Sequence, residues 1–118
     1  MLTAEDHELV DRAVAMGLSI VNGMHIPLTE RYPDLNPGQW VWDVRYTPFE
    51  KTIGCARAAQ LTNRRIFMVG SDMAVGKMTA GLALHQQLLE RGVSSSFLAT
   101  GQVGITITGK GIPLDRVP

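Results

Sequence analysis

The sequence predicts an α/β fold built on a parallel sheet and divided into two part-units. Three observations carry that prediction. Helical and strand patterns alternate along the chain; a glycine-bracketed loop joins a β-branched run to a helical pattern over residues 66–79; and a proline-bearing stretch without periodicity, 46–51, separates the halves as a linker.

The first unit, residues 1–45, opens on a capping box. Thr3, with Asp6 three residues on, precedes an apolar stripe of Leu9, Val10, Ala13 and Val14 that stops at Gly17. Residues 18–21, LSIV, read as a short buried strand ended by Asn22 and Gly23. The next stretch, GMHIPLTERYPDLNPG, has three prolines and two glycines, which leave room for one helical turn and nothing longer. WVWDV at 40–44 reads as a second strand. Its Asp43, near the carboxyl end, is expected to cap the strand end or to make a contact between the units.

The second unit, residues 52–118, reads as a small-residue helix over 52–61, a buried strand over 65–69, a loop, a helix over 77–91 closed by Gly92, a strand over 95–100, and a glycine-rich end. Cys55 is expected inside the first of these helices as a small buried hydrophobe. Parallel sheets bury both faces and need several strands joined by crossovers. Two strands after the linker, and an opening helix with no strand before it, lead to the expectation that the chain is a fragment of a longer two-domain protein.

The loop between the strand at 65–69 and its helix has the composition of a phosphate cradle. Its candidate binding residues are Gly70, Ser71, Asp72, Val75, Gly76, Lys77, Met78 and Thr79. Glycines let backbone N–H groups turn toward an anion, the helix N-terminus adds a partial positive charge, and the lysine supplies a full one. The loop departs from the strict pattern in two ways: five residues, not four, separate Gly70 from Gly76, and Met78 follows the lysine. In phosphoryl-transfer enzymes that last position is a hydroxyl holding Mg²⁺. Thr79 stands about 100° further around the helix and replaces it only if the longer loop rewinds. Phosphate binding is therefore better supported than phosphoryl transfer.

Eleven basic and eleven acidic residues balance, and among the basic ones only Arg64 and Arg65 are adjacent, so nucleic acid is not suggested as a partner. No run approaches the roughly 18 apolar residues of a membrane span, and MLTAEDHELVDR is too polar for a signal peptide. The expected address is cytoplasmic and the expected partner a small-molecule substrate, with a homo-oligomer left open. A single cysteine excludes an internal disulfide, and His7, His25 and His85 share no metal-ligand spacing.

Ligands of open α/β sheets sit off the carboxyl ends of the strands, so residues 100–104 are expected beside the loop. Thr100 and Gln102 are the substrate-binding candidates there, Gln102 being best able to hydrogen-bond a carbonyl or carboxylate; the alternative is a plain turn. Asp72 reads as a cap for loop amides, a metal holder through water, or a proton acceptor. Asp115 resembles a second metal-binding acid, on a strand weakened by Pro113. His85 lies roughly 12 Å along the helix from Lys77 and is expected to have no role. Met78, Leu82, Leu88 and Leu89 are expected as core contacts.

Gly-Lys-Met-Thr at 76–79 and Ala-Thr-Gly-Gln at 99–102 resemble the second domain of the D-glutamate N-acetyltransferase-like family, a two-domain P-loop group first described as a domain of unknown function. GLSIVNGMH at 17–25 and VWDVR at 41–45 are similar to the end of that family's Rossmann-like first domain. The resemblance implies an N-acetyltransferase in the complete parent protein, moving acetyl from acetyl-CoA to D-glutamate or a similar acidic amino acid, with the fragment itself inactive. It implies that the loop cradles the CoA pyrophosphate without hydrolysing it. The general base is unassigned. The GSD-x3-GK spacing is also like that of dethiobiotin synthetase, where threonine follows the lysine. That likeness implies the alternatives: an ATP- and Mg-dependent ligase or kinase with Thr79 and Asp72 or Asp115 around the metal, or a non-catalytic nucleotide-binding regulator.

Overall fold

The computed structural model describes residues 2–46 and 54–114. Helix α1, Ala4–Ala15, begins at the expected capping box: the Asp6 N–H donates to Thr3 Oγ1 (3.2 Å) while Asp6 Oδ2 accepts from the Thr3 N–H (2.8 Å). These bonds satisfy amides that a helix start leaves without intrahelical partners. The helix ends at Met16, and Gly17 follows in the left-handed region with φ 82°. Val10, Ala13 and Val14 are half-buried, but Leu9 of the expected stripe is exposed. Gln39 ties down this end by donating to the Val14 and Leu18 carbonyls, both at 2.8 Å.

Strands β1, Ile20–Asn22, and β2, Val41–Asp43, pair in parallel, with Ile20 opposite Val41 and Asn22 opposite Asp43. Both fall within a residue or two of the expected strands at 18–21 and 40–44. The connection holds one 3-10 turn, Thr29–Arg31, in agreement with the single turn that its prolines permit. Arg31 and Tyr32 bind Asp11 of α1 (Arg31 Nη2 to Oδ2, 2.6 Å; Tyr32 Oη to Oδ1, 2.5 Å), strapping the connection to the helix.

The second unit departs further from expectation. Over 52–61 the described residues contain only a 3-10 turn, Arg57–Gln60, and Cys55 is exposed rather than buried. Residues 65–69 run without strand pairing to any described residue, and Phe67 and Val69 are 80% and 77% exposed. A parallel strand becomes buried only when strands flank it and helices cover both faces. Here only Met68 is covered, and Ile66 on the same face is 65% exposed. A Cβ added to Gly81 in α2, Lys77–Glu90, would stand 3.3 Å from Met68 and 3.0 Å from the Phe97 ring, so α2 lies closely over these two segments. The expected strand at 95–100 is reduced to a parallel bridge between Ala99 and Gly111, flanked by bonds from the Ile112 N–H to the Ala99 carbonyl (2.9 Å) and the Leu114 N–H to the Thr100 carbonyl (3.2 Å).

Residues 102–108, part of the expected glycine-rich end, form helix α3, Gln102–Thr108. Val44, Ala99 and Ile105 make a buried cluster with Trp42 and Phe97 packed against it, so the end of β2 and the bridge–α3 corner share one core. Pro113 is fully buried. The approach is close: a Cβ on Gly111 would stand 2.3 Å from the Ala99 carbonyl oxygen, and one on Gly104 2.8 Å from the Ala99 Cβ. Of the linker at 46–51 only Tyr46 lies among the described residues, and Asp115 lies outside them.

Candidate functional site

The loop at 70–76 wraps around the foot of Lys77. A Cβ on Gly70 would meet Val75 Cγ2 at 2.8 Å and the Lys77 stem at 3.1 Å, so any larger residue here would push these side chains aside. The Lys77 ammonium folds back and donates to the Asp72 carbonyl. Ala74 (φ 56°) and Gly76 (φ 90°) are both left-handed, and for the alanine this is a strained conformation of the kind found at binding loops. Gly76 is the N-cap of α2 and provides no side-chain cap.

The loop donors have few internal acceptors. The Met73 N–H donates to Asp72 Oδ1 at 2.7 Å, which makes Asp72 a local cap. From Ala74 to Thr79 no amide donates to an acceptor among the described residues; the first backbone bond into this turn comes from the Ala80 N–H, which donates to the Gly76 carbonyl (2.9 Å). Six amides at the positive end of a 14-residue helix, with a lysine ammonium among them, form a donor set that suits a pyrophosphate or another phosphate group. Ser71 and Thr79 are exposed beside it.

Met78 turns away from the role of a metal-holding residue. Its Sδ is 3.5 Å from the position that a Cβ on Gly104 would take, so it packs against the first turn of α3 while remaining 38% exposed. Of the other residues expected as core contacts, Leu82 and Leu88 are half-buried and Leu89 is exposed. The same Met78–Gly104 contact brings residues 100–104 to the opening turn of α2. Gln102, half-buried, is the first residue of α3, and its Cγ lies 3.5 Å from the Cβ position of Gly23 at the end of β1. Thr100 is exposed.

Asp43 is a strand-end cap. Its carboxylate accepts from Asn22 Nδ2 (2.6 Å), the Leu28 N–H (2.9 and 3.0 Å), the Thr29 N–H (2.9 Å) and Thr29 Oγ1 (2.5 Å). Burial raises its pKa, but the hydrogen bonds from Thr29, Leu28 and Asn22 outweigh it, and the net shift is downward. Asn22, the other half of this hub, also donates to the Ile26 carbonyl (2.7 Å) and was not singled out from sequence; an Asn and an Asp ending paired strands is the signal that could have found it. His85 is not idle either. Its Nδ1 lies 2.9 Å from Ser95 Oγ and its ring tilts against Phe97, which fastens α2 to the segment beneath it. Among the described residues no group of three or more His, Cys, Asp or Glu could hold a metal, and no helix is long and apolar enough to cross a membrane.

A glycine-cornered loop with open amides at the head of a helix, on an α/β frame, defines the P-loop class. Residues 52–118 match the family described as a domain of unknown function, DUF1611_C, P-loop domain, and the chain belongs to that family. A D-glutamate N-acetyltransferase of Tritonibacter scottomollicae is 36% identical over 121 residues, which cover 98% of this chain and 35% of the relative. Another protein of that name, from a Pseudoalteromonas species, is 33% identical over 115 residues, covering 92% of this chain and 33% of the relative. The crystal structure of a DUF1611 family protein from Anabaena variabilis, at 2.30 Å resolution, matches with a TM-score of 0.84 and 41% identity over 99% of this chain and 35% of that one. The chain thus spans about a third of the length of the relatives it matches.

Proposed function

We propose that these residues belong to an N-acetyltransferase that moves acetyl from acetyl-CoA to the amine of D-glutamate or a similar acidic amino acid. In this reading residues 1–45 are the C-terminal part of a Rossmann-like domain and 52–118 the N-terminal part of the P-loop domain. The curated relatives carry that activity in their names, at 33% and 36% identity. The observation that carries the reading is the site's combination of open amides from Ala74 to Thr79 with a methionine, packed toward Gly104, where a Mg²⁺-holding hydroxyl would be needed for phosphoryl transfer. Such a cradle favours holding a phosphate group over cleaving one.

Acetyl-CoA supplies an acyl thioester, at whose carbonyl the amine forms a C–N bond as the C–S bond breaks and CoA leaves as the thiol. The loop amides and Lys77 hold the pyrophosphate, which fixes the position of the distant thioester. Gln102 and Thr100, at the start of α3, orient the acceptor. The amine must lose a proton to become a nucleophile. The test uses the full-length protein containing these residues, with D-glutamate, acetyl-CoA and EDTA. Formation of N-acetylglutamate with stoichiometric thiol release is the expected result. No transfer, with ATP consumed only when Mg²⁺ is present, would overturn the reading in favour of a ligase or kinase.

A further inference from the structure

The second half of α2 and the end of α3 enclose a cavity of about 100 Å³ over residues 95–97. A single water needs roughly 10–15 Å³, so this is room for a small group of several heavy atoms. Phe97 supplies an apolar wall; the other lining residues, His85, Ser95, Ser96, Thr108 and Lys110, are all polar. No residue of the phosphate loop lines the cavity. His85 stands eight residues beyond Lys77, roughly 12 Å along the helix axis, so the two places are separate.

The walls are fixed by their own hydrogen bonds. Ser95 Oγ lies 2.9 Å from His85 Nδ1, and the His85 ring tilts against Phe97 with centroids 6.2 Å apart. Thr108 Oγ1 donates to the Gly104 carbonyl (2.8 Å) and accepts from the Lys110 N–H (3.3 Å), while the Ala99 N–H donates to the Lys110 carbonyl (3.2 Å). The Lys110 backbone is thus anchored, but its ammonium, the Ser96 hydroxyl and the second ring nitrogen of His85 have no partner among the described residues. No carboxylate lines the cavity. Glu90 is the only acid from residue 73 to residue 114, and it already accepts from Gln86 (3.0 Å) and Gln87 (2.6 Å). An ammonium, hydroxyls and an imidazole contributed by three separate segments suit a tetrahedral oxyanion, whose oxygens accept from several directions, better than the two in-plane oxygens of a carboxylate.

We propose that this cavity is a second oxyanion site, in which Lys110, Ser96 and His85 hold inorganic phosphate or the phosphate of a small monoester. The assignment does not depend on the acetyltransferase reading. The full-length protein carrying Lys77→Ala, which weakens the hold of the phosphate loop, is titrated calorimetrically with inorganic phosphate and, separately, with glycerol 3-phosphate, and its thermal midpoint is recorded. The same measurements are made with Lys110→Ala, Lys110→Arg or Ser96→Ala added. One phosphate per chain is expected to bind in the Lys77→Ala protein. Lys110→Ala should weaken it about 10- to 100-fold, Lys110→Arg should retain most of the affinity and Ser96→Ala should lose less, all with the midpoint unchanged because Lys110 and Ser96 are exposed. Tighter binding of glycerol 3-phosphate than of phosphate assigns the site to a phosphorylated metabolite, and the reverse order assigns it to free phosphate. Absence of phosphate binding in the Lys77→Ala protein, affinity untouched by Lys110→Ala, loss of binding only together with a lowered midpoint, or displacement of phosphate by acetate at equal concentration would overturn the assignment.

Discussion

The Asp43 turn and the phosphate loop are both acid-containing loops of the same small α/β frame, yet they use hydrogen bonding in opposite ways. In the Asp43 turn the polar groups satisfy one another: a carboxylate 8% exposed and an asparagine 4% exposed meet three backbone amides, a hydroxyl and a carbonyl. In the phosphate loop Asp72 takes one amide and the lysine, while the amides from Ala74 to Thr79 are left without acceptors among the described residues. A buried polar group without a partner is costly, whereas an exposed one is solvated and ready to be exchanged for a ligand. The first loop is satisfied internally, and the second leaves its donors open, as the proposed phosphate binding requires.

That contrast can be broken most forcefully at Asp43. Replacement by alanine leaves the Leu28 and Thr29 amides and the Asn22 side chain without their acceptor, and a loss of about 3 kcal/mol is expected in denaturant unfolding. Lys77→Ala should do the reverse, weakening acetyl-CoA binding roughly 100-fold in a calorimetric titration while leaving the unfolding midpoint nearly unchanged. Gly111→Ala places a Cβ 2.3 Å from the Ala99 carbonyl oxygen, and unfolding experiments should register about 2 kcal/mol for the forced separation of the bridge.

Acid acts on the first of these loops. The Asp43 carboxyl is held below the ordinary aspartate value of 3.8, so its contribution is fully present above that pH and is lost as pH falls through the lower folded value. Asp11, lowered to about 2 by its hydrogen bonds from Arg31 and Tyr32, titrates in the same direction across the window from 3.8 to about 2. Unfolding midpoints measured through this range should fall for wild type and fall less for Asp43→Asn. The smallest effect is expected at Met78. Because its side chain packs toward Gly104, Met78→Thr should change acetyl-CoA affinity by about threefold or less, and stopped assays should detect no new Mg²⁺-dependent ATP hydrolysis.

Local signals in the sequence were legible where a single turn decides the structure. Thr3 and Asp6 identify the start of α1, Gly17 and Gly92 the ends of α1 and α2, and Gly70 with Gly76 the loop, because caps and left-handed turns depend on nearest neighbours alone. Strands were less legible. The β-branched run at 65–69 has the composition of a buried strand, but burial depends on what lies alongside, and only Met68 itself packs against α2. Helix α3 was missed because Val103, Ile105, Thr106, Ile107 and Thr108 favour extended backbone when read alone. Thr106 and Thr108 instead turn their hydroxyls back to the Gln102 and Gly104 carbonyls (2.9 and 2.8 Å), and Gly109, left-handed at the helix end, was the overlooked stop signal. Lys77, Met78 and Gln102 could be read from sequence as candidates, but the route from Met78 through Gly104 and Gln102 to Gly23 and Arg45 joins distant segments and has no local signature.

In the function proposed for this chain, the open loop holds the phosphates of an acyl carrier and does not need a metal to do so. Calorimetric titration of the full-length protein and of Lys77→Ala with acetyl-CoA and with ATP, each with and without Mg²⁺, tests it most directly. Acetyl-CoA binding that requires Lys77, persists in EDTA and is preferred to ATP is the expected result. Tight ATP binding that appears only with Mg²⁺, with no response to acetyl-CoA, would contradict it.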